Sequence, residues 1–141
     1  MRGPRTIQEI AQWIPPKPGA IKINVDASVI PGMDSFSVRM VLRNGRGEFC
    51  KARITRLYGE VTVLEAEPQG MLQALRWITE LGIKNVELEC DSMIAVQAIN
   101  RGTKNLFKVG NIFQDCRIIS SNRPDVTIQY VKIKPTKWLT S

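Results

Sequence analysis

Ala20-Ile21-Lys22-Ile23-Asn24-Val25-Asp26-Ala27-Ser28 is the stretch on which the fold turns. Ile21, Ile23 and Val25 alternate with Lys22, Asn24 and Asp26, the period-2 pattern of a strand with one buried face. The β-branched side chains favour an extended backbone. Asp26 stands on the polar side, where the run gives way to small residues. A carboxylate fixed on a rigid strand is a good place to hold a metal ion, and equally a place for an ordinary solvent-facing acid. The strand alone leaves both readings open.

The composition narrows the field. A chain of 141 residues, 43% of them hydrophobic, has room for one domain with a proper core. Its net charge of +7 suits a polyanionic partner, nucleic acid first among them. The basic residues are scattered rather than bunched, so a basic domain without such a partner stays open. Cys50, Cys90 and Cys116 lie far apart with no C-x-x-C pair, which predicts reduced thiols packed as small apolar residues. That usage points to an intracellular, reducing compartment: nucleus, cytoplasm or organelle. Histidine is absent, which excludes His-dependent triads and His-ligated zinc. No apolar run approaches the roughly 20 residues that cross a bilayer, and no secretory h-region opens the chain. A membrane partner is not expected.

Outward from the first strand, residues 1–19 read as an arm and 20–141 as the domain. Thr6, with Glu9 in capping-box position, predicts a short turn over 6–12. Trp13-Ile14-Pro15-Pro16-Lys17-Pro18-Gly19 forbids regular structure, because proline lacks a donor and holds its neighbour extended. That run is a stiff linker or, alternatively, a polyproline ligand for a protein partner. Downstream, Pro31-Gly32 marks a turn, 36–42 a second strand, and Asn44-Gly45-Arg46-Gly47 a hairpin loop into a third strand over 48–58.

From Glu67 the apolar residues Met71, Leu72, Ala74, Leu75, Ile78 and Leu81 recur at spacings of three and four, an amphipathic helix that stops at Gly82. Pro68 is expected in its first turn, so Glu67 is expected at the helix N-terminus; Glu65, two residues earlier, should point elsewhere. A fourth strand over 83–90 ends at Asp91-Ser92, and a helix through Met93, Ile94, Val96 and Ile99 runs to Gly102. Strand, helix, strand implies a parallel crossover, and the carboxyl end of such a strand is where open α/β sheets place their sites. Asp91 is therefore a site residue or a helix N-cap. Leu106, Val109, Ile112, Phe113, Cys116 and Ile119 predict a third helix with a core stripe, and 126–131 a fifth strand. A basic tail with Trp138 and Leu139 follows.

The expected order is β-β-β-α-β-α-α-β, an α/β fold with a mixed five-stranded sheet flanked by helices. Asp26, Glu67 and Asp91 are expected at one sheet edge. Three converging carboxylates repel one another unless a cation sits among them, and hard oxygen donors suit Mg²⁺ or Mn²⁺. Two such ions about 4 Å apart can activate water and stabilise the leaving oxygen of a phosphodiester.

These elements resemble the ribonuclease H-like domains of plants and retroelements. The likeness covers most of the chain, from Trp13 to about Leu139. It is carried by the Trp13 to Gly19 lead-in, Asn24-Val25-Asp26-Ala27-Ser28, and Val41-Leu42-Arg43-Asn44 with Gly47. Glu65-Ala66-Glu67 with Ala74-Leu75, Leu81-Gly82-Ile83 and Glu89-Cys90-Asp91-Ser92 complete it. By position, Asp26, Glu67 and Asp91 match that family's first three catalytic, metal-binding acids. The resemblance implies a ribonuclease H-like fold and Mg²⁺-dependent hydrolysis of the RNA strand of an RNA–DNA hybrid, read by backbone shape and 2′-hydroxyls.

The chain departs from the pattern in two places. After the last strand the family carries His, Asn and an Ala-Asp pair opening a final helix; here Tyr130-Val131-Lys132 and then Lys137-Trp138-Leu139 stand there, and no acid follows Asp125. The usually glycine-rich second strand reads Ser37-Val38-Arg39-Met40. Loss of the fourth acid implies a site that holds one ion, with weakened or lost chemistry, and a truncated final helix. Three functions follow: a hybrid-cleaving metal nuclease, a catalytically silent nucleic-acid binder, and a protein-interaction module working through the Trp13 to Pro18 arm or the truncated C-terminal edge.

Overall fold

The computed structural model describes residues 9–10, 19–30, 32–59, 63–92, 96 and 110–131. Its elements are β1 (Glu9–Ile10), β2 (Ile21–Val29), β3 (Ser35–Arg43), β4 (Phe49–Tyr58), α1 (Val63–Leu81), β5 (Val86–Cys90), α2 (Gly110–Ser121) and β6 (Val126–Val131). Among the described residues they form one mixed sheet in the order β1-β6-β5-β2-β3-β4. The five expected strands are all present. β1 is a short sixth, pairing parallel to β6 through Glu9↔Tyr130 and Ile10↔Val131. These two residues are extended, where the capping-box pattern led us to expect a helical turn; an open sheet edge outweighs a single local capping preference. The rest of the arm, including Trp13 to Pro18, lies outside the described residues, as does the tail after Val131.

β2, β3 and β4 form the expected antiparallel meander, and β2, β5 and β6 pair in parallel. The β3–β4 hairpin is closed by Asn44, whose Oδ1 accepts hydrogen bonds from the N–H groups of Arg46 and Glu48 at 2.9 and 3.0 Å. Gly47 takes a φ of 79°, a conformation that costs a side-chain-bearing residue strain. The pairing register slips between Leu42 and Arg43, the bulge such a loop produces.

α1 lies across β2 and β3 and against α2. Met71, Leu72, Ala74, Leu75 and Ile78 are buried with Ile23, Val25, Val38, Met40 and Leu88 in one core. Each large side chain there contributes roughly 1.5–3 kcal/mol of transfer free energy. The helix starts at Val63, four residues before Glu67, so Pro68 sits in its second turn and forgoes one rung of the ladder. The first-turn position expected for the proline is not the one it takes; tertiary packing of the stripe outweighs one missing hydrogen bond. The helix ends at Gly82, as expected, with a φ of 66°.

Two expectations fail on burial. The polar side of β2 is not at the surface: Lys22 and Asn24 are both 0% exposed. β5 answers them across the parallel register, Lys22↔Glu87 and Asn24↔Glu89. The Lys22 ammonium lies 2.7 Å from Glu89 and 3.6 Å from Glu87, and the Asn24 amide donates to Glu89 Oε1 at 2.8 Å. Of the three thiols, Cys90 and Cys116 are buried but Cys50 is exposed on β4, because β4 is the outer strand. Burial first, with the negative field of Asp115 adding and Arg76 opposing, pushes the Cys116 thiol up to about 12. Val96 is helical and its N–H bonds to Ser92 O at 3.1 Å. The remainder of the helix expected after Asp91 lies outside the described residues.

Candidate metal centre

Asp26 occupies the middle of β2, with Asp91 directly after the end of β5. The parallel register pairs Val25 with Cys90, so the next residue of each strand, Asp26 and Asp91, stands side by side. Glu67 comes from above, on α1. It belongs to the helix face that carries Gly70, Met71 and Ala74 at spacings of three, four and seven, which is why an acid faces the core there. Gly70 sets how closely that face approaches: a Cβ built on it would lie 3.6 Å from methyls of both Val25 and Val38. One turn before this close contact, Glu67 is only 7% exposed.

The result is a cluster in which Asp26, Glu67 and Asp91 each offer a carboxylate oxygen, all within 4.8 Å of one another. Asp26 and Asp91 are half-buried and Glu67 buried. All three acids singled out from the sequence are thus brought together by the fold. The choice between N-cap and site for Asp91 turns in part on residues 93–95, outside the described residues, but its place beside Asp26 does not.

The surroundings feel this charge. The Cys90 thiol, at the buried end of β5, is pushed well above its ordinary range by burial first, with the negative fields of Glu67, Asp91 and Asp26 adding to it. It is a neutral packing group that accepts a hydrogen bond from the Ser92 N–H at 3.4 Å, not a nucleophile. On the other flank, Arg39 is the direct cross-strand neighbour of Asp26 in the β2–β3 register. A cation placed there offsets part of the repulsion among the acids. Arg39 was legible only as a departure from a glycine-rich strand; its position beside Asp26 required the hairpin register.

The family model described as reverse transcriptase-like matches residues 24–136. The chain belongs to the reverse transcriptase-like family. Among solved structures, this reverse transcriptase-like chain is similar to LC11-RNase H1, isolated from compost by a metagenomic approach. The TM-score is 0.71 at 20% identity, over 86% of this chain and 89% of that one. The complex of LC11-RNase H1 with an RNA/DNA hybrid superposes at a TM-score of 0.68 with 19% identity, over 83% and 86% of the two chains. RNase H1 from the halophilic archaeon Halobacterium salinarum gives 0.63 and 17%, over 84% and 88%. At such identities the likeness establishes the ribonuclease H-like fold. A search among curated proteins finds no match. No helix among the described residues is long and apolar enough to cross a membrane.

Proposed function

We propose that this chain binds RNA–DNA hybrids, holds a divalent cation on Asp26, Glu67 and Asp91, and cleaves the RNA strand slowly. The observation that carries the reading is the convergence of three carboxylate oxygens within 4.8 Å, one acid being buried. The donors fit Mg²⁺ or Mn²⁺: all are hard oxygens, and their mutual repulsion is relieved by a small, doubly charged ion. Bound there, the ion supplies electrostatic polarisation of a phosphodiester and of a water beside it. Glu67, held down by the α1–sheet contact at Gly70, and Asp26 and Asp91, held by adjacent strands, fix the donor positions without reorganisation.

The slow rate rests on the sequence. Lys137-Trp138-Leu139 stand where the resemblance places a fourth acid, which supports one firmly held ion. The net charge of +7 supports backbone recognition, and the neighbour solved with an RNA/DNA hybrid supports the choice of ligand. The proposal keeps the chain in a reducing intracellular compartment, consistent with three free thiols.

The test is cleavage of a labelled RNA–DNA hybrid with Mg²⁺ and then Mn²⁺, alongside Asp91→Asn. Slow cleavage lost in the variant is expected. Binding without cleavage in either metal would leave a silent hybrid binder. Neither binding nor cleavage would overturn the proposal.

A further inference from the structure

β4 is the outer strand of the sheet and is exposed along nearly its whole length. It carries Lys51, Arg53 and Arg56 and no acid. Its two faces differ. On the α1 side Arg53 is taken up by Glu80 at 2.9 Å, and Leu57 packs against the core. On the other side the register aligns rows that run straight out from the acid cluster: Asp26, Arg39 and Ile54, then Ser28, Ser37 and Arg56, with Tyr58 opposite Ser35. Tyr58 is 81% exposed and Ile54 69%, a large aromatic and a large aliphatic side chain standing in water beside a cation.

Neighbouring strands are about 4.8 Å apart and a strand rises about 3.3 Å per residue, so Ile54 lies roughly 10 Å from Asp26 and Tyr58 roughly 16 Å. Those distances are about three and about five nucleotide steps of 3.4 Å. A paired base cannot lay its face on a side chain, but an unpaired one can, and an exposed aromatic beside an arginine is the pairing that single-stranded nucleic acid uses.

We infer that Ser28, Ser37, Ile54, Arg56 and Tyr58 form a track for unpaired nucleotides running off the end of the hybrid. One base stacks on Ile54 and a later one on Tyr58, and the phosphates between them meet Arg56. This makes a hybrid with a single-stranded overhang the preferred substrate. The inference rests on the hybrid-binding reading above. A second copy of the chain, pairing β4 with β4, is the other occupant of such an edge. It is disfavoured because antiparallel pairing would set three cations against three cations.

The experiment compares the affinity of the full chain for a blunt RNA–DNA hybrid and for the same hybrid with overhangs of three and six nucleotides, at fixed salt. The chain, Tyr58→Ala and Arg56→Gln are measured together. The overhang is expected to tighten binding about tenfold in the chain, with Tyr58→Ala removing most of that gain. Blunt-hybrid affinity should stay within about twofold, since both side chains are surface groups away from the acids. Equal affinity for blunt and overhanging hybrids, or equal weakening of both by Tyr58→Ala, would overturn the track and leave hybrid binding standing. No affinity for the blunt hybrid, with overhang binding that Tyr58→Ala abolishes, would support the track while removing the hybrid reading. Failure to bind either would remove both. A dimer at micromolar concentration that Tyr58→Ala dissociates would replace the nucleic acid with a second copy.

Discussion

The Lys22 ammonium lies 2.7 Å from the Glu89 carboxylate, and both side chains are wholly inaccessible to solvent. This ion pair crosses from β2 to β5, four residues before Asp26 on one strand and two before Asp91 on the other. It locks together the two strands that supply two of the three acids. Taking both charges out of water is expensive, so the pair is a poor source of stability but a strong constraint on register.

Removing one partner leaves the other charge buried alone. Lys22→Met is therefore expected to destabilise the fold by about 3–5 kcal/mol, whereas replacing both residues with Met recovers most of that loss. Urea unfolding of the two variants checks this, and a double variant no better than the single would refute it. Burial holds the Glu89 carboxyl above its ordinary range, against the opposing pull of Lys22 and Asn24. The folded chain thus keeps that proton longer than the unfolded chain. Stability should fall as pH rises from the ordinary carboxylate range through the raised Glu89 value. Glu89→Gln should flatten that segment of the profile.

Asp125 behaves in the opposite sense. Its carboxylate accepts from Arg123 Nε and Nη2 at 2.9 Å and from the Asn85 N–H at 2.8 Å, tying the turn before β6 to the loop before β5. The Arg123 hydrogen bonds first, with Asn85 adding, hold it well below the usual carboxylate range. Its contribution is present above the ordinary aspartate pKa and is lost as pH falls from there through the depressed folded value. Asp125→Asn should cost about 1–2 kcal/mol at neutral pH and nothing at strongly acidic pH. An unchanged acid limb in thermal unfolding would contradict this.

Gly70 offers a stabilising change. Its added Cβ meets Val25 and Val38 at ordinary contact distance, and its helical position carries the conformational cost of glycine. Gly70→Ala should raise stability by up to about 1 kcal/mol, as read by the denaturant midpoint. Gly70→Leu should lift α1 from the sheet, lowering stability and weakening cation binding together, because Glu67 rides on the same turn. Loss of stability in the alanine variant would show that the helix has no room at that point.

The acid cluster stores repulsion among its three carboxylates. With no cation bound, neutralising one of three carboxylates within 4.8 Å removes repulsion. Asp91→Asn is expected to unfold at higher temperature than the parent chain in chelator, by a few degrees. In Mn²⁺ the order should reverse. An ion at ten times its dissociation constant stabilises the parent by about 1.4 kcal/mol, and the variant should lose that response. Parallel melting curves with and without Mn²⁺ decide it, and a variant that still responds would show that Asp91 is not a ligand.

Much of this molecule is legible in one dimension because it rests on local rules. Alternation marks β2 and β5, the hairpin loop at 44–47 announces β3 and β4, and the three-and-four stripe that continues backwards into Glu67 says that an acid faces the core. Asp91 is recognisable because it ends a strand that feeds a helix. Side-chain period fixes parity, and parity together with chain order brings three acids to one edge.

Parity does not say what covers a face. Lys22 and Asn24 look like solvent-facing residues until β5 is set beside β2, when Glu87 and Glu89 meet them at matching register. Nor does local pattern reveal Arg39 beside Asp26, Glu9–Ile10 joined to the far edge of the sheet, or Tyr58 and Arg56 in line with the acid cluster. Those relations depend on strand order and register, which long-range hydrogen bonding and burial settle together. The sequence by itself determined which residues could carry metal chemistry; only the tertiary structure decided which charges are neutralised inside the sheet and which stand in water next to the acids.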